Sequence, residues 1–154
     1  IVMINENLKL SGQLNIVLKD KAGKIKDNRT VKNLIVNDGL AYIASRMTGT
    51  TKGVMSHMAL GSSTTVPAEG QSDLISMLGA REPLDSTAIE GANDEKVKYV
   101  CSFEAGDATG AVTEAGIFNA ATSGDMLCRT KFSVVNKAAE DTMSVTWTIT
   151  LSAS

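Results

Sequence analysis

The sequence is poor in the residues from which active sites and metal sites are usually built. Its 154 residues include one histidine, two cysteines, two prolines and one tryptophan. A general base needs a partner group, and a metal ion needs several ligands at suitable spacing, which one histidine and two distant cysteines do not supply. The composition therefore predicts a protein that is not an enzyme and that holds neither a cofactor nor a metal.

Three further absences narrow the class of protein. The formal net charge is -2, so the basic excess that is typical of nucleic-acid binders is missing. No apolar run approaches the roughly 20 residues that a membrane span needs. The opening segment IVMINENLKL lacks the basic-then-apolar layout of a secretory signal. We therefore expect neither nucleic acid nor a membrane among its partners.

The pattern that is present is strict alternation at both ends of the chain. From Leu8 to Lys19, apolar residues occupy one face and polar residues the other, which predicts a half-buried strand. The turn sequence 20–23 follows, and the lysine-rich segment 24–32 is predicted to return as an edge strand. The clearest alternation lies in 142–151, where Trp147 is central to the apolar face.

The middle of the chain contains one segment with clear helical periodicity. Apolar residues at helical spacing predict a helix over about 38–48, with Asn37 or Asp38 as its cap. A second, short helix is predicted at 72–78, between a capping serine and a terminating glycine. Further strands are predicted at 54–60, 97–103, 111–118 and 126–135, the last with Phe132 and Val134 on its inward face.

These elements predict a mainly β protein with a minor helical part. Strands joined by short loops indicate an antiparallel β-sandwich or a jelly-roll-like meander, with one helix and an N-terminal β-hairpin. The chain has the length of one domain, which we place at 1–154. Within it, 1–36 is interpreted as a basic hairpin arm, and 37–154 as the main β domain.

The charges are unevenly distributed although they nearly cancel. The segment 19–32 has a local charge of +4, whereas 66–116 contains ten carboxylates and three cations, a local charge of -7. One interpretation is two solvated faces; the other is complementary ends that bring subunits together. The candidate docking residues are Lys19, Lys21, Lys24, Lys26, Arg29 and Lys32.

Glu114 is the most informative charged residue, because it interrupts an otherwise apolar strand. A buried carboxylate without a partner costs several kcal/mol, so we expect it to be paired. Arg81 and Arg129 are the candidate partners. A structural ion pair is favoured over a catalytic acid, since the sequence places no second carboxylate beside it.

The remaining reactive side chains are assigned structural roles. His57 is predicted to be a structural or surface histidine, because nothing in the sequence nominates a catalytic partner for it. Cys101 and Cys128 fall on apolar strand faces and are predicted to be buried, reduced thiols. A cross-strand disulfide is the alternative, if the two strands are neighbours.

Several segments, taken in order, resemble the amino-terminal domain of the phage tail-collar fibre family and small stand-alone virion proteins with the same pattern. The resemblance spans about 37–151. It is carried by the segments 39–44 (GLAYIA), 55–67 (MSHMALGSSTTVP) and 114–119 (EAGIFN), together with Leu78, Arg81, Met126, Leu127, Lys137 and the threonine-rich last strand. The chain departs from the family in its basic hairpin and in the absence of a long shaft after the last strand.

The resemblance implies a structural subunit of a tailed-phage virion, assembled in the host cytoplasm. We expect a tail, collar or fibre-adaptor role, exerted through self-association and docking to other virion proteins. A capsid decoration protein is the alternative within the same class. A carbohydrate-binding β-sandwich module is a remote alternative, because such modules usually need exposed aromatic residues.

Overall fold

A computed structural model of the chain describes residues 6–49 and 52–153, which contain ten strands and one helix. The strands are β1 (Leu8–Lys19), β2 (Ile25–Lys32), β3 (Leu34–Ile35), β4 (His57–Gly61), β5 (Met77–Pro83), β6 (Ser86–Glu90), β7 (Lys96–Phe103), β8 (Gly110–Phe118), β9 (Met126–Lys137) and β10 (Thr142–Ala153). The helix, α1, spans Asn37–Met47. No helix in these residues is long and apolar enough to cross a membrane. The opening segment is predicted not to be a secretory signal, and its first five residues lie outside this description.

The strands form two five-stranded sheets. Sheet A has the order β2-β1-β10-β7-β6, and sheet B has the order β3-β9-β8-β4-β5. Every neighbouring pair is antiparallel. The prediction of a mainly β, antiparallel sandwich with one helix is therefore confirmed.

The alternating strands place their apolar faces between the two sheets. Leu14, Ile16 and Leu18 of β1 are buried, and so are Val145 and Trp147 of β10. They pack against residues of sheet B in one continuous core. Because side chains alternate along a strand, the threonines of β10 lie on the opposite, outer face of sheet A.

The segment 1–36 is not an arm, in so far as the structure describes it. β1 lies between β2 and β10, and it pairs with β10 along its whole length, from Leu8 opposite Ala153 to Lys19 opposite Thr142. The interpretation of 1–36 as an appendage is corrected for this reason. The basic hairpin supplies one inner strand and one edge strand of sheet A.

The second predicted helix, at 72–78, is wrong. Residues 77–83 form β5, which pairs with β4, so sheet pairing overrides the local helix signals there. The cap predicted for α1 is also wrong: the N-cap is Val36, and no side chain caps the helix. The amide of Asn37 instead donates to the Glu69 carbonyl, 2.8 Å away.

A bulge changes the phase of β9. Val112 pairs with Val135, and Glu114 pairs with Lys131, so four residues of β9 span the distance that two span in β8. The extra residues turn Val134 outward, where 47% of it is exposed, and leave Val135 buried. The prediction that Val134 faces the core is therefore wrong.

Candidate functional site

A buried ion pair lies in the middle of sheet B. Glu114 of β8 and Arg129 of β9 are both 0% exposed. The Arg129 guanidinium donates to Glu114 Oε2 from Nη2 at 2.7 Å and from Nε at 3.0 Å. The structure thus brings together two of the three residues that the sequence nominated. Such a pair is costly to bury and is retained where further hydrogen bonds satisfy both partners.

The remaining acceptor capacity of Glu114 binds the backbone of residues 62–76, which we call the pinned loop. Its Oε1 accepts from the amide of Ser76 at 2.8 Å and of Ser63 at 3.3 Å. Its Oε2 accepts from the amide of Ile75 at 3.2 Å. The carboxylate therefore holds both ends of the pinned loop.

Arg129 binds the same loop from its other side. Its Nη1 donates to the carbonyl of Thr65 at 3.0 Å and to the Oε1 of Gln71 at 3.1 Å. Gln71 Oε1 also accepts from the amide of Ala68. The hydrogen-bonding groups of the pair are thus occupied by one another and by the loop, which leaves the carboxylate no open side for a reactant.

Gly61 makes room for this arrangement. A Cβ atom at this position would lie 2.4 Å from Glu114 Oε1 and 2.5 Å from the backbone oxygen of Ser76. Both distances are far below van der Waals contact. A residue larger than glycine at the end of β4 would displace the carboxylate or the pinned loop.

Arg81 does not pair with Glu114, and this candidate partner is corrected. Its guanidinium lies over the Phe118 ring, 3.6 Å from the centroid. Its Nη1 donates to the carbonyls of Ala120 and Ser123, at 2.9 and 2.7 Å. Its Nη2 contacts Asp73 of the pinned loop at 3.4 Å. Arg81 therefore joins the pinned loop to residues 119–125, which we call the turn loop.

A small second hydrophobic core packs against both loops. Five buried residues form it: Val36, Ala59, Leu74, Phe118 and Met126. Leu74 belongs to the pinned loop, and Phe118 and Met126 flank the turn loop. On the outer side, the pinned loop exposes Val66 and Ile75, at 68% and 53%. The two loops thus form an ordered surface with apolar residues directed to solvent.

The cations of the basic hairpin do not all remain available for docking. Lys26 pairs with Asp141 at 2.6 Å, Lys21 lies 3.6 Å from Glu140, and Arg29 pairs with Asp27. Arg29 also donates to the Ser133 carbonyl at 2.7 Å. Among the described residues, Lys19, Lys24 and Lys32 have no carboxylate partner. These contacts show which charges are locally balanced, and the docking role of the six cations stays a prediction.

The Lys26–Asp141 pair predicts a pH dependence of stability. The pKa of Asp141 lies below its ordinary value because Lys26, and then the amide of Ala138, donate to its carboxylate. A carboxyl group with a lowered folded pKa contributes stability above its unfolded pKa, and that contribution is lost as the pH falls through the folded value. We expect Asp141→Asn to flatten the fall in Tm below about pH 4, measured by circular dichroism. An unchanged acid limb would contradict the role of this carboxylate.

The two cysteines are free and buried. Cys101 lies in β7 of sheet A and Cys128 in β9 of sheet B, so they are not on neighbouring strands. Burial raises the pKa of Cys101 to about 12 and also raises that of Cys128. The prediction of reduced thiols is confirmed, and the cross-strand disulfide is wrong.

These thiols should not react in the folded protein, because the thiolate is the reactive form and both groups are covered. We expect a thiol-reactive chromophore to label neither cysteine under native conditions and to label both after addition of denaturant. The matched control is Ser62→Cys, at an exposed position of the pinned loop, which should be labelled at once. Rapid labelling of the unsubstituted native chain would contradict the described burial.

The Nδ1 atom of His57 lies 2.8 Å from the Ser56 hydroxyl. The described residues contain no group of three or more histidine, cysteine or acidic side chains that could hold a metal ion. Sequence reasoning also left Lys137 without a role. It is 2% exposed and donates from Nζ to the Glu104 carbonyl at 2.8 Å. Its position at the end of β9, directly before a turn, is the one signal that could have suggested this contact.

Comparisons with protein families, curated proteins and solved structures give no match to this chain.

Proposed function

We propose that the protein is a structural subunit of a tailed-phage virion, in a tail, collar or fibre-adaptor position. It works by self-association and by docking to other virion proteins, without catalysis and without a cofactor. The starting point is the resemblance of residues 37–151 to the tail-collar fibre family. Glu114, Arg81 and Lys137 are among the residues that carry this resemblance, and each of them binds backbone groups in the structure.

The observation that best supports the proposal is the bonding of the Glu114–Arg129 pair. A catalytic carboxylate has to reach a substrate, whereas Glu114 is fully buried and accepts hydrogen bonds from Arg129 and from three loop amides. Arg81 and Lys137 likewise bind backbone carbonyls. These side chains fix loop shapes, which is the task of a protein that offers a preformed surface to a neighbour.

The carbohydrate-binding alternative lacks the surface that it needs. The six aromatic side chains are all buried: Tyr42, Tyr99, Phe103, Phe118, Phe132 and Trp147. Sugar rings are usually bound by stacking on exposed aromatic faces. A capsid decoration protein stays the nearest alternative, since a decoration protein would also use ordered loops and sheet edges for docking.

The proposal is tested on purified particles of the phage or induced prophage whose genome carries the gene. Mass spectrometry of the particles should detect the chain as a stoichiometric component, and cryo-electron microscopy should place it at the tail or collar. Density on the head would favour the decoration alternative. A chain that is expressed during infection and is absent from intact particles would overturn the proposal.

A further inference from the structure

The two outer strands of sheet A present complementary open edges. β2 and β6 lie at opposite ends of the order β2-β1-β10-β7-β6. Because each neighbouring pair is antiparallel, β2 and β6 run in the same direction. We infer that β2 of one copy pairs with β6 of a second copy, in parallel, and extends sheet A from subunit to subunit. This inference rests on the proposed function, whose self-association it describes.

Within the part of the chain that the structure describes, the backbone groups of Asn28 and Thr30 at the outer side of β2 have no partner. The amide of Asn33 donates to the Gly12 carbonyl at 3.2 Å, so these residues form a hydrogen-bonded pair of the antiparallel ladder. Such pairs alternate along the strands, which directs the backbone of Val31 and Arg29 toward β1. The N–H and C=O groups of Asn28 and Thr30 are therefore directed away from the sheet.

The same reasoning applies to β6. The amide of Leu151 donates to the Glu95 carbonyl at 2.9 Å, and alternation then assigns Lys96 and Lys98 of β7 to the β6 side. Their partners in β6 are Glu90 and Ala88. The N–H and C=O groups of Thr87 and Ile89 are therefore directed outward. β6 is thus a second open edge.

Hydrogen bonding alone allows either Thr30 or Asn28 to lie beside Ala88, and the side chains favour Thr30. In a parallel pair, a residue bonds the residues before and after the one beside it. With Thr30 beside Ala88, the Thr30 amide donates to the Thr87 carbonyl, and the Ile89 amide donates to the Thr30 carbonyl. Each of these groups is already directed outward in its own copy, whereas the carbonyl of Lys32, farther along β2, accepts from the Thr130 hydroxyl at 2.7 Å.

The side chains agree with that register. It places Lys32, which has no carboxylate partner among the described residues, beside Glu90, which also pairs with Lys98 of its own copy. It places Ile89, which is 68% exposed, beside Val31, which is partly buried and packs on the core. Ile89 is opposite Val97, and Val31 is opposite Leu14, so both lie on the core side of sheet A. The contact would cover an exposed apolar side chain and bring Lys32 to Glu90 as a second cation beside Lys98.

Charge favours this contact over pairing between like edges. Segment 85–95 contains Asp85, Glu90, Asp94 and Glu95 and no cation, whereas the basic hairpin has a local charge of +4. Two β2 edges would bring lysines together, and two β6 edges would bring carboxylates together. Since the two contact surfaces differ, the contact is heterologous and produces either a closed ring or an open chain of copies.

Two proline variants test the edges separately. Thr30→Pro and Ile89→Pro each remove an outward amide and leave the hydrogen bonds to the inner strand in place. We expect each variant to be monomeric by analytical ultracentrifugation under conditions in which the parent chain associates. Mixed together, they should form a one-to-one pair and nothing larger, since each retains the edge that the other lacks. Association of either variant at the parent level, or larger species in the mixture, would overturn the inference.

Charge exchange tests the register without relying on proline. Lys32→Glu and Glu90→Lys should each weaken association about tenfold, and the double variant should recover most of the loss. Lys19→Glu is the matched control: it is a free lysine of the same hairpin, it lies on β1, and it should have no effect. Circular dichroism melts identify any variant that fails to fold. A double variant weaker than either single one would overturn the register.

The inference and the proposed function fail in different ways. A parent chain that is monomeric in solution at every concentration, yet present in particles, would overturn the edge contact and leave the virion role standing. A chain that associates through its edges, yet is absent from particles, would do the reverse. The two experiments therefore test the edge contact and the virion role separately.

Discussion

Replacing Glu114 with alanine should lower the free energy of unfolding by about 3–5 kcal/mol, because it leaves the Arg129 guanidinium buried without its counter-charge. For a chain of this length, that loss corresponds to a fall in Tm of roughly 6–20 °C. Three loop amides lose their acceptor in the same step. The change should be measured by thermal melting and by denaturant titration.

The pinned loop distinguishes this result from a general loss of stability. Limited proteolysis of Glu114→Ala below its Tm should cut first within 62–76, because both ends of that loop are bound by the carboxylate. Glu69→Ala is the matched control: it removes an exposed carboxylate of the same loop and should change stability by less than about 0.5 kcal/mol. Equal Tm values for the two variants would contradict the structural role of the buried pair.

Replacing Phe118 with alanine should cost about 3–5 kcal/mol, the usual range for a buried aromatic residue. Phe118 is 0% exposed, belongs to the second core and provides the face on which Arg81 lies. Its removal should therefore also loosen the pinned loop and the turn loop. Hydrogen exchange would show this as faster exchange of amides in 62–76 and 119–125.

Phe132→Ala provides the control for that effect. Phe132 is 6% exposed and belongs to the main core between the sheets, away from the second core. We expect a comparable loss of stability, with exchange in the two loops close to that of the parent chain when both are compared at equal distance from Tm. Identical exchange patterns in the two variants would show that the second core has no separate role.

The elements that can be predicted from the sequence are the strands with one buried face and one face exposed to solvent. β1 and β10 alternate without long interruptions, and both were predicted close to their observed bounds. The sequence gives no indication of β6, because most of its residues are exposed on both faces and no alternation marks it. The helix predicted at 72–78 failed for another reason: strand pairing with β4, which is distant in sequence, outweighs local propensity.

The candidate site was predictable only in outline. A carboxylate within an apolar strand indicates a buried partner, and that much identified Glu114 with two arginines to choose from. The choice depends on register, because Arg129 lies on the strand next to Glu114, whereas Arg81 lies two strands away on β5. The loop amides that complete the site are backbone groups, and the identities of the loop side chains do not indicate where those amides lie.

The position of β10 in sheet A has a consequence for biosynthesis. β10 is the last strand of the described chain to leave the ribosome, yet it lies in the middle of sheet A, between β1 and β7. Until it emerges, β1 and β7 have no partner on that side and their apolar faces stay uncovered. Sheet A can therefore be completed only after β10 has been translated, as is expected for sandwiches built from distant pairings. A chain released before β10 is made would expose two unpaired inner edges and would be prone to aggregate.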